Sequence, residues 1–315
     1  MKHVLLLDTA HSILTEKLTE KGFTVDEKPS MQRHELIDAA HLYNGIILRS
    51  RITIDKEIID KAVNLEFIGR IGSGMESIDT KYAAAKNIAC FNSPEGNRDA
   101  VGEHSIGLLL NLLNNICRAN MEVKEGLWLR ESNRGIEIKD RTVAIIGYGN
   151  MGSAFAARLS GFGCKVIAYD KYKFGFSSEH VNEVSMDYIF AEADILSLHI
   201  PLTSETHYLV DSAFIAKFAK PIVLINTSRG PVVKTAHLAE ALINGKISSA
   251  ALDVIEYEES SFEKTDDMLN HDAFRNLISS GKVIITPHIA GWTIESKYKL
   301  AAVLAEKIIR FYQKE

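Results

Sequence analysis

Short apolar, β-branched runs alternate with helical spacings along almost the whole chain. In the amino-terminal part the runs are Val4–Leu7, Gly45–Arg49, Glu66–Arg70 and Ile88–Phe91. Between them Ser12–Lys21 and Gln32–Leu42 carry apolar residues three and four positions apart, the spacing of one helix face. Further along, the runs are Thr142–Ile146, Lys165–Tyr169, Ile195–His199, Ile222–Ile225, Ser249–Val254 and Val283–Thr286. Strand–helix alternation of this kind implies parallel sheets covered by helices on both faces. A chain of 315 residues has room for about two such sheets, so the expected class is α/β with two domains.

The boundary is placed in the polar stretch Asn92–Asp99, which holds Pro94, Gly96 and two asparagines. The segment that follows, Ala100–Lys124, is apolar nearly all round a helix, so one side is expected on its own sheet and another on a second subunit. The last amphipathic segment, Ile294–Gln313, is expected to cross back and complete the first domain. The expected division is therefore 1–98 plus 289–315 for one domain and 99–288 for the other.

Composition removes several function classes. There are 41 acidic and 36 basic residues, a formal net charge of −5, which argues against a polyanion-binding surface. No window approaches the roughly 18 consecutive apolar residues of a membrane span. The first apolar run, Val4–Leu7, ends on Asp8 and is too short for a signal-peptide core. Cys90, Cys117 and Cys164 are far apart, which suits a reducing cytoplasm. The eleven histidines form no His-Glu-x-x-His motif, so no metal is expected.

Gly147-Tyr148-Gly149-Asn150-Met151-Gly152 fits the G-x-G-x-x-G pattern. Alone it is weak evidence, but it directly follows the strand Thr142–Ile146 and opens the helical Ser153–Leu159. In such a turn the first glycine permits the tight bend, the second lets backbone approach a pyrophosphate, and the third allows close helix–strand packing. The helix N-terminus then supplies N–H donors and a positive dipole end. Asp170 ends the next strand, where a carboxylate accepts both ribose hydroxyls and repels a 2′-phosphate. NAD is therefore expected over NADP, with Lys171 and Lys173 near enough to soften the preference.

Three later segments follow strands of the second domain: Asn226–Gly230 with Arg229, Leu252–Glu258 with Asp253 and Glu258, and Thr286–Gly291 with His288. A cation, a carboxylate and an imidazole at successive strand ends are what oxo-acid reduction needs. The guanidinium holds a substrate carboxylate bidentately, the imidazolium delivers a proton to the carbonyl oxygen, and the carboxylate fixes the imidazole tautomer.

At this point the chain resembles the NAD-dependent D-2-hydroxyacid dehydrogenase family over essentially its whole length. The resemblance is carried by Leu48-Arg49-Ser50-Arg51, Gly69–Gly74 with Ile78-Asp79, and Asn92-Ser93-Pro94 in the first domain. In the second it is carried by the glycine turn, Pro201-Leu202-Thr203, Asn226–Gly230, Leu252-Asp253-Val254 and Pro287-His288. It implies two Rossmann/flavodoxin-like doubly wound domains with the cleft between them, and a homodimer through the 100–130 helix and arm. It implies that Arg229, Glu258 and His288 are catalytic. His199, Pro201, Thr206, Thr227, Ser228, Asp253 and Gly291 join the glycine turn and Asp170 in binding NAD. Backbone N–H groups of Ile71, Gly72, Ser73 and Gly74 take the substrate carboxylate, with Ser50 beside them. Within the family the chain is most similar to phosphoglycerate dehydrogenases, where Arg49, Arg70 and Arg130 are expected to face the substrate phosphate.

Departures from that subgroup are also legible. The residues after His288 read Ile-Ala-Gly-Trp, and Trp292 either narrows the pocket or packs at the hinge, the second being the plainer role. No proline follows Glu258, and 259–280 reads as a surface insertion with a short helix at Met268–Leu277. The chain is expected to lack an amino-acid-sensing domain after Glu315. Two alternatives stand beside the phosphoglycerate reading: a hydroxypyruvate/glyoxylate or other D-2-hydroxyacid reductase, and an NAD-sensing, corepressor-like binding protein.

Overall fold

The computed structural model of the protein describes residues 2–258 and 267–313. They form two units, one made of residues 2–98 with 292–313, the other of 99–258 with 267–291. The chain passes between units at Arg98/Asp99 and again at Gly291/Trp292, so Ile289, Ala290 and Gly291 belong with the second unit and not the first. The expected insertion at 259–280 falls in its first part outside the described residues. Its helix is present as a 3-10 turn at Met268–Asn270 and an α-helix at Asp272–Ser279.

In the first unit the strands are β1 Lys2–Leu6, β2 Phe23–Glu27, β3 Gly45–Leu48, β4 Phe67–Arg70 and β5 Ala89–Asn92. All pair in parallel, in the order β2-β1-β3-β4-β5. Side chains alternate between faces with period two. Val4 and Leu6 pack with Leu14, Leu18, Leu300 and Leu304 on one face, while Leu5 and Leu7 pack with Leu36, Ile58 and Ile59 on the other. The sheet is thus buried on both sides, as parallel sheets are. The strand β2 has no counterpart in the apolar pattern because it is an edge, and only Phe23 of its five residues is buried.

The closing helix Ile294–Tyr312 belongs to this unit. A reciprocal capping box starts it: the Ser296 N–H donates to Thr293 Oγ1 at 3.0 Å, and the Thr293 N–H donates to Ser296 Oγ at 2.9 Å. It lies on Gly96, where a Cβ would come 2.5 Å from the Leu300 nitrogen. Backbone of the terminal helix therefore occupies the volume that any side chain at residue 96 would need.

The second unit is built on β6 Thr142–Ile146, β7 Lys165–Tyr169, β8 Asn182–Glu183, β9 Ile195–Leu198, β10 Ile222–Asn226, β11 Ile247–Leu252 and β12 Val283–Ile285. Their order is β12-β11-β10-β9-β6-β7-β8, again all parallel. Val143 and Ile145 face the helices Arg98–Leu113 and Asn150–Leu159, and Ala144 and Ile146 face the helices on the opposite side. The order reverses direction between β6 and β9. In such sheets ligands bind outside the carboxyl ends of the strands at that point.

The segment read as a single helix over Ala100–Lys124 is two. Asn115 adopts the left-handed conformation at φ +55° and separates Arg98–Leu113 from Ile116–Lys124. Asparagine tolerates that conformation better than most side chains, and the break redirects the chain. The first helix buries Val101, Leu108, Leu109 and Leu113, whereas the second buries none of its residues.

At the end of β9, His199 turns its imidazole into the interior. Nε2 meets Ser197 Oγ at 2.8 Å, and Nδ1 is sealed from solvent with no partner among the described residues. Burial holds its pKa down to about 3. The imidazole is therefore neutral in the fold but takes up a proton in the unfolded chain below about pH 6.5.

Two outcomes follow from this packing. Gly96→Ala destabilises the protein by about 1–3 kcal/mol, read as a lower Tm or denaturation midpoint, because helix backbone must shift to admit the methyl group. His199 contributes stability that is present above about pH 6.5 and lost as pH falls toward 3, with a slope approaching about 1.4 kcal/mol per pH unit. Urea unfolding of wild type and His199→Gln across pH 4–7.5 isolates this component: the difference in stability between the two proteins should shrink steadily on acidification. A pH-independent difference contradicts the assignment.

Candidate active site

The glycine turn after β6 uses each glycine for a different reason. Gly147 sits at φ +93°, and a Cβ there would come 2.4 Å from the His199 carbonyl oxygen. A Cβ on Gly152 would stand 1.9 Å from the Gly147 oxygen, so the helix packs on its own entry turn. Gly149 is different, because a Cβ there meets nothing within 4 Å. No protein atom requires glycine at 149, which leaves an approaching ligand as the reason. Gly149 also caps the helix Asn150–Leu159 without any side-chain hydrogen bond to its first N–H groups. An open backbone cradle at a helix N-terminus fits the pyrophosphate of a dinucleotide.

Asp170 follows β7. Its Oδ2 accepts the Tyr148 N–H at 2.7 Å, and its Oδ1 accepts those of Tyr172 at 2.9 Å and Lys173 at 3.0 Å. Three of its roughly four acceptor sites thus shape its own loop and fix the carboxylate beside the glycine turn. The two neighbouring lysines are engaged. Lys171 donates to Glu205 at 2.6 Å, and Lys173 donates to the Tyr148 carbonyl at 3.2 Å while lying over the Tyr148 ring.

Other residues expected at the cofactor are hydrogen-bonded to neighbouring protein groups. The His199 imidazole is withdrawn into the core, so any contact it makes with a cofactor is through backbone. The Thr206 hydroxyl donates to the Pro201 carbonyl at 2.7 Å and accepts the Thr203 N–H at 2.8 Å, closing that turn on itself. Thr227 and Ser228 are buried, Thr227 against Ser105 at 3.2 Å and Ser228 against the Asn226 side chain at 2.7 Å.

His288 and Glu258, thirty residues apart, meet with His288 Nδ1 2.6 Å from Glu258 Oε2. Glu258 is itself oriented by the Ile255 N–H, which donates to Oε1 at 2.6 Å. His288 stands in the left-handed conformation at φ +54°, which a non-glycine residue adopts only when its surroundings impose it. Here they do. The His288 N–H donates to the Asp253 carbonyl at 2.8 Å, and the N–H groups of Ile289 and Ala290 donate to the Asp253 carboxylate at 2.9 and 2.8 Å. The Thr286 hydroxyl donates to Asp253 Oδ1 at 2.6 Å. Asp253 was expected to contact the cofactor; its visible work is to hold the histidine loop.

Sequence reasoning missed His104, on the helix Arg98–Leu113. Its Nε2 lies 3.2 Å from Thr286 Oγ1 and 3.5 Å from Asp253 Oδ1. Since the threonine proton goes to Asp253, His104 is the donor in the first contact. No motif marked it, because it acts through tertiary contact with a loop about 180 residues away.

Arg229 lies in the turn after β10, its Nη1 donating to the Ser228 carbonyl at 2.6 Å. The next residue, Gly230, is pressed on the segment that carries Glu258: a Cβ there would come 1.8 Å from the Ile255 oxygen. The arginine turn and the glutamate turn are thereby packed backbone to backbone. Among the described residues, no group of three or more His, Cys, Asp or Glu side chains is placed to hold a metal ion.

The first unit holds its own cluster at the carboxyl ends of β1, β3 and β4. The Arg49 N–H donates to Asp8 Oδ2 at 2.6 Å, and Arg70 Nε donates to the Arg49 carbonyl at 3.1 Å. Arg70 is buried, with its Nη1 where a Cβ of Gly72 would lie. It supports the turn from beneath and is not a surface cation. Of the four expected carboxylate donors, the Ile71 N–H goes to the Leu48 carbonyl and the Gly72 N–H to Arg70 O and Ser93 Oγ. The Ser73 and Gly74 N–H groups have no acceptor among the described residues, so of the four expected donors only these two are not taken by the protein itself. Arg130, in the second unit, sits in an exposed loop with no ion pair among the described residues. Trp292 is 67% exposed, with the Arg49 guanidinium carbon 4.3 Å from its ring centroid.

Residues 106–290 match the family model described as D-isomer specific 2-hydroxyacid dehydrogenase, NAD binding domain. D-3-phosphoglycerate dehydrogenase of Archaeoglobus fulgidus is 33% identical over 308 residues, which cover 97% of this chain and 56% of that protein. Hydroxypyruvate reductase of Thermotoga maritima is 34% identical over 280 residues, 89% of this chain and 88% of that protein. The solved structure of D-lactate dehydrogenase from Aquifex aeolicus, complexed with NAD and lactic acid, has a TM-score of 0.82 at 26% identity. That likeness covers 99% of this chain and 96% of the other. The chain spans about half the length of the phosphoglycerate dehydrogenases it matches. With the motifs seated at the strand ends where such a site is built, the chain belongs to the D-isomer specific 2-hydroxyacid dehydrogenase family.

Proposed function

We propose that the protein transfers a hydride between NAD and a D-2-hydroxy acid, interconverting D-3-phosphoglycerate and 3-phosphohydroxypyruvate, the entry step of serine biosynthesis. The observation that carries the reading is the 2.6 Å contact of His288 Nδ1 with Glu258, on a loop pinned by a buried aspartate. A carboxylate on Nδ1 keeps the proton on that nitrogen and leaves Nε2 as the reactive one. In oxidation Nε2 takes the hydroxyl proton, and in reduction it returns it to the carbonyl oxygen. NAD, when bound along the glycine turn and Asp170, accepts or supplies the hydride. Arg229 holds and polarises the substrate's carboxylate and carbonyl oxygens, and the Ser73 and Gly74 N–H groups take the carboxylate.

The phosphorylated substrate is supported by the phosphoglycerate dehydrogenases among the relatives, with Arg49 at the carboxyl end of β3 as the cation expected to face the phosphate. The second reading, reduction of hydroxypyruvate or glyoxylate, is favoured by the Thermotoga relative, which this chain matches over nearly its whole length. A homodimer in the cytoplasm completes the proposal. It is supported by the helix Ile116–Lys124, which buries none of its own residues, and by exposed Met121, Val123 and Trp128.

A substrate panel followed by NADH absorbance tests the reading. Phosphohydroxypyruvate should be reduced with a kcat/KM at least about tenfold above that of hydroxypyruvate, the worth of roughly one charge-assisted contact. His288→Ala should lower kcat by about 10²–10⁴-fold while NADH binding, read by fluorescence titration, persists. Equal use of both oxo acids removes the phosphoglycerate assignment. Full turnover without the imidazole removes the mechanism.

A further inference from the structure

The chain after β7 runs Asp170-Lys171-Tyr172-Lys173, one acid against two lysines. On charge alone this stretch should tolerate a 2′-phosphate, because a cation beside the ribose site is what accommodates NADP at a glycine turn. In the fold both lysines are already engaged. Lys173 turns back on the glycine turn, donating to the Tyr148 carbonyl at 3.2 Å with its ammonium 5.1 Å from the Tyr148 ring centroid. Phe176 stacks on that ring at 4.4 Å between centroids. Lys171 goes the other way and donates to Glu205 Oε2 at 2.6 Å.

Topology brings Glu205 there, from 34 positions along the chain. It lies in the loop after β9, and Lys171 in the loop after β7; the strand between those two is β6, whose end carries the glycine turn. The contact therefore joins the two loops that flank that turn. The Glu205 loop is itself fixed, since its N–H donates to Thr203 Oγ1 at 3.3 Å and Thr206 closes the loop on the Pro201 carbonyl. Glu205 Oε2 also accepts the Tyr172 hydroxyl at 2.7 Å. Hydrogen bonds from Lys171 and then Tyr172 hold the Glu205 carboxyl below its usual range, and the same pairing holds Lys171 above its own. An ion pair with its members 55% and 53% exposed contributes little stability. Its consequence is local charge: Glu205 makes the count two acids against two lysines and takes the ammonium of the residue that follows Asp170.

We propose that Glu205 is a specificity-determining residue for the cofactor. By holding Lys171 it withholds the cation that a 2′-phosphate would pair with, so the choice of NAD over NADP rests on Glu205 as well as on Asp170. This rests on the glycine-turn site and not on the identity of the oxo acid, so it stands or falls apart from the phosphoglycerate reading.

Equilibrium binding tests it without turnover. Kd values for NADH and NADPH are measured by fluorescence titration, and for ADP and 2′,5′-ADP by calorimetry, in wild type, Glu205→Gln, Lys171→Ala and the double variant, with Tm in parallel. Glutamine keeps the shape and still accepts the Tyr172 hydroxyl, so the change removes charge alone. In Glu205→Gln the ratio of the NADPH Kd to the NADH Kd should fall by about three- to fivefold, the scale of one exposed ion pair gained. The ratio for 2′,5′-ADP and ADP, which carry only the adenosine half, should fall alike. The gain should vanish in the double variant and shrink as salt is raised. An unchanged ratio in Glu205→Gln overturns the proposal, whether both affinities hold or both weaken together. A gain that survives removal of Lys171 overturns it as well, because the lysine is then not the cation that Glu205 withholds.

Discussion

The buried carboxylate of Asp253 is the interaction on which the strand-end loops of the second unit depend. It is 1% exposed, and an ionised group so placed is tolerated only when its oxygens are fully engaged. Here they take one hydroxyl and two backbone N–H groups, all from residues 286–290, while the Asp253 carbonyl takes the His288 N–H. That set of donors bends the chain through the left-handed conformation of His288 and aims its Nδ1 at Glu258. The desolvation cost of one carboxylate is converted into the geometry of the His288–Glu258 pair. His104 adds a further hydrogen bond to the same loop from the helix Arg98–Leu113.

A second constraint is close backbone approach. Gly147, Gly152, Gly230 and Gly96 each sit where a Cβ would strike a carbonyl or a helix backbone at 2.5 Å or less. The three in the second unit set the entry turn of the nucleotide helix and seat the arginine turn on the glutamate turn. Gly149 stands apart with open space around its missing Cβ, which is why it marks a ligand and the others mark packing.

Much of this was legible in the sequence. Strands buried on both faces are written as unbroken apolar runs, so β6, β7, β9 and β10 could be read almost to the residue. The edge strands β2 and β8 could not, because one face of an edge pairs with nothing and polar residues are tolerated there. That a carboxylate would meet His288 followed from the order of their segments after successive strands, since parallel strands place their carboxyl ends together; that it is Glu258 followed only from the family resemblance. Roles that depend on where a side chain turns were not legible. His199 and Thr206 lie in the expected loops, yet one imidazole points inward and one hydroxyl closes its own turn. The break at Asn115 was hidden because a single left-handed asparagine leaves the apolar periodicity on either side intact.

The electrostatics of the first unit show why net charge was a poor guide to ligand charge. A formal −5 spread over 315 residues says little about a few ångströms at the end of β3. There Asp8 accepts Arg51 Nε at 3.2 Å and the Arg49 N–H at 2.6 Å, and Arg70 Nε donates to the Arg49 carbonyl at 3.1 Å. Asp8 is the last residue of the first apolar run plus one, a position that looked like a simple strand terminator. Its carboxylate pairs with Arg51 and anchors the Arg49 backbone. Arg70 is spent beneath Gly72. Beside that cluster the Arg49 guanidinium carbon lies 4.3 Å from the Trp292 ring centroid, so a cation and an aromatic face meet where β3 ends.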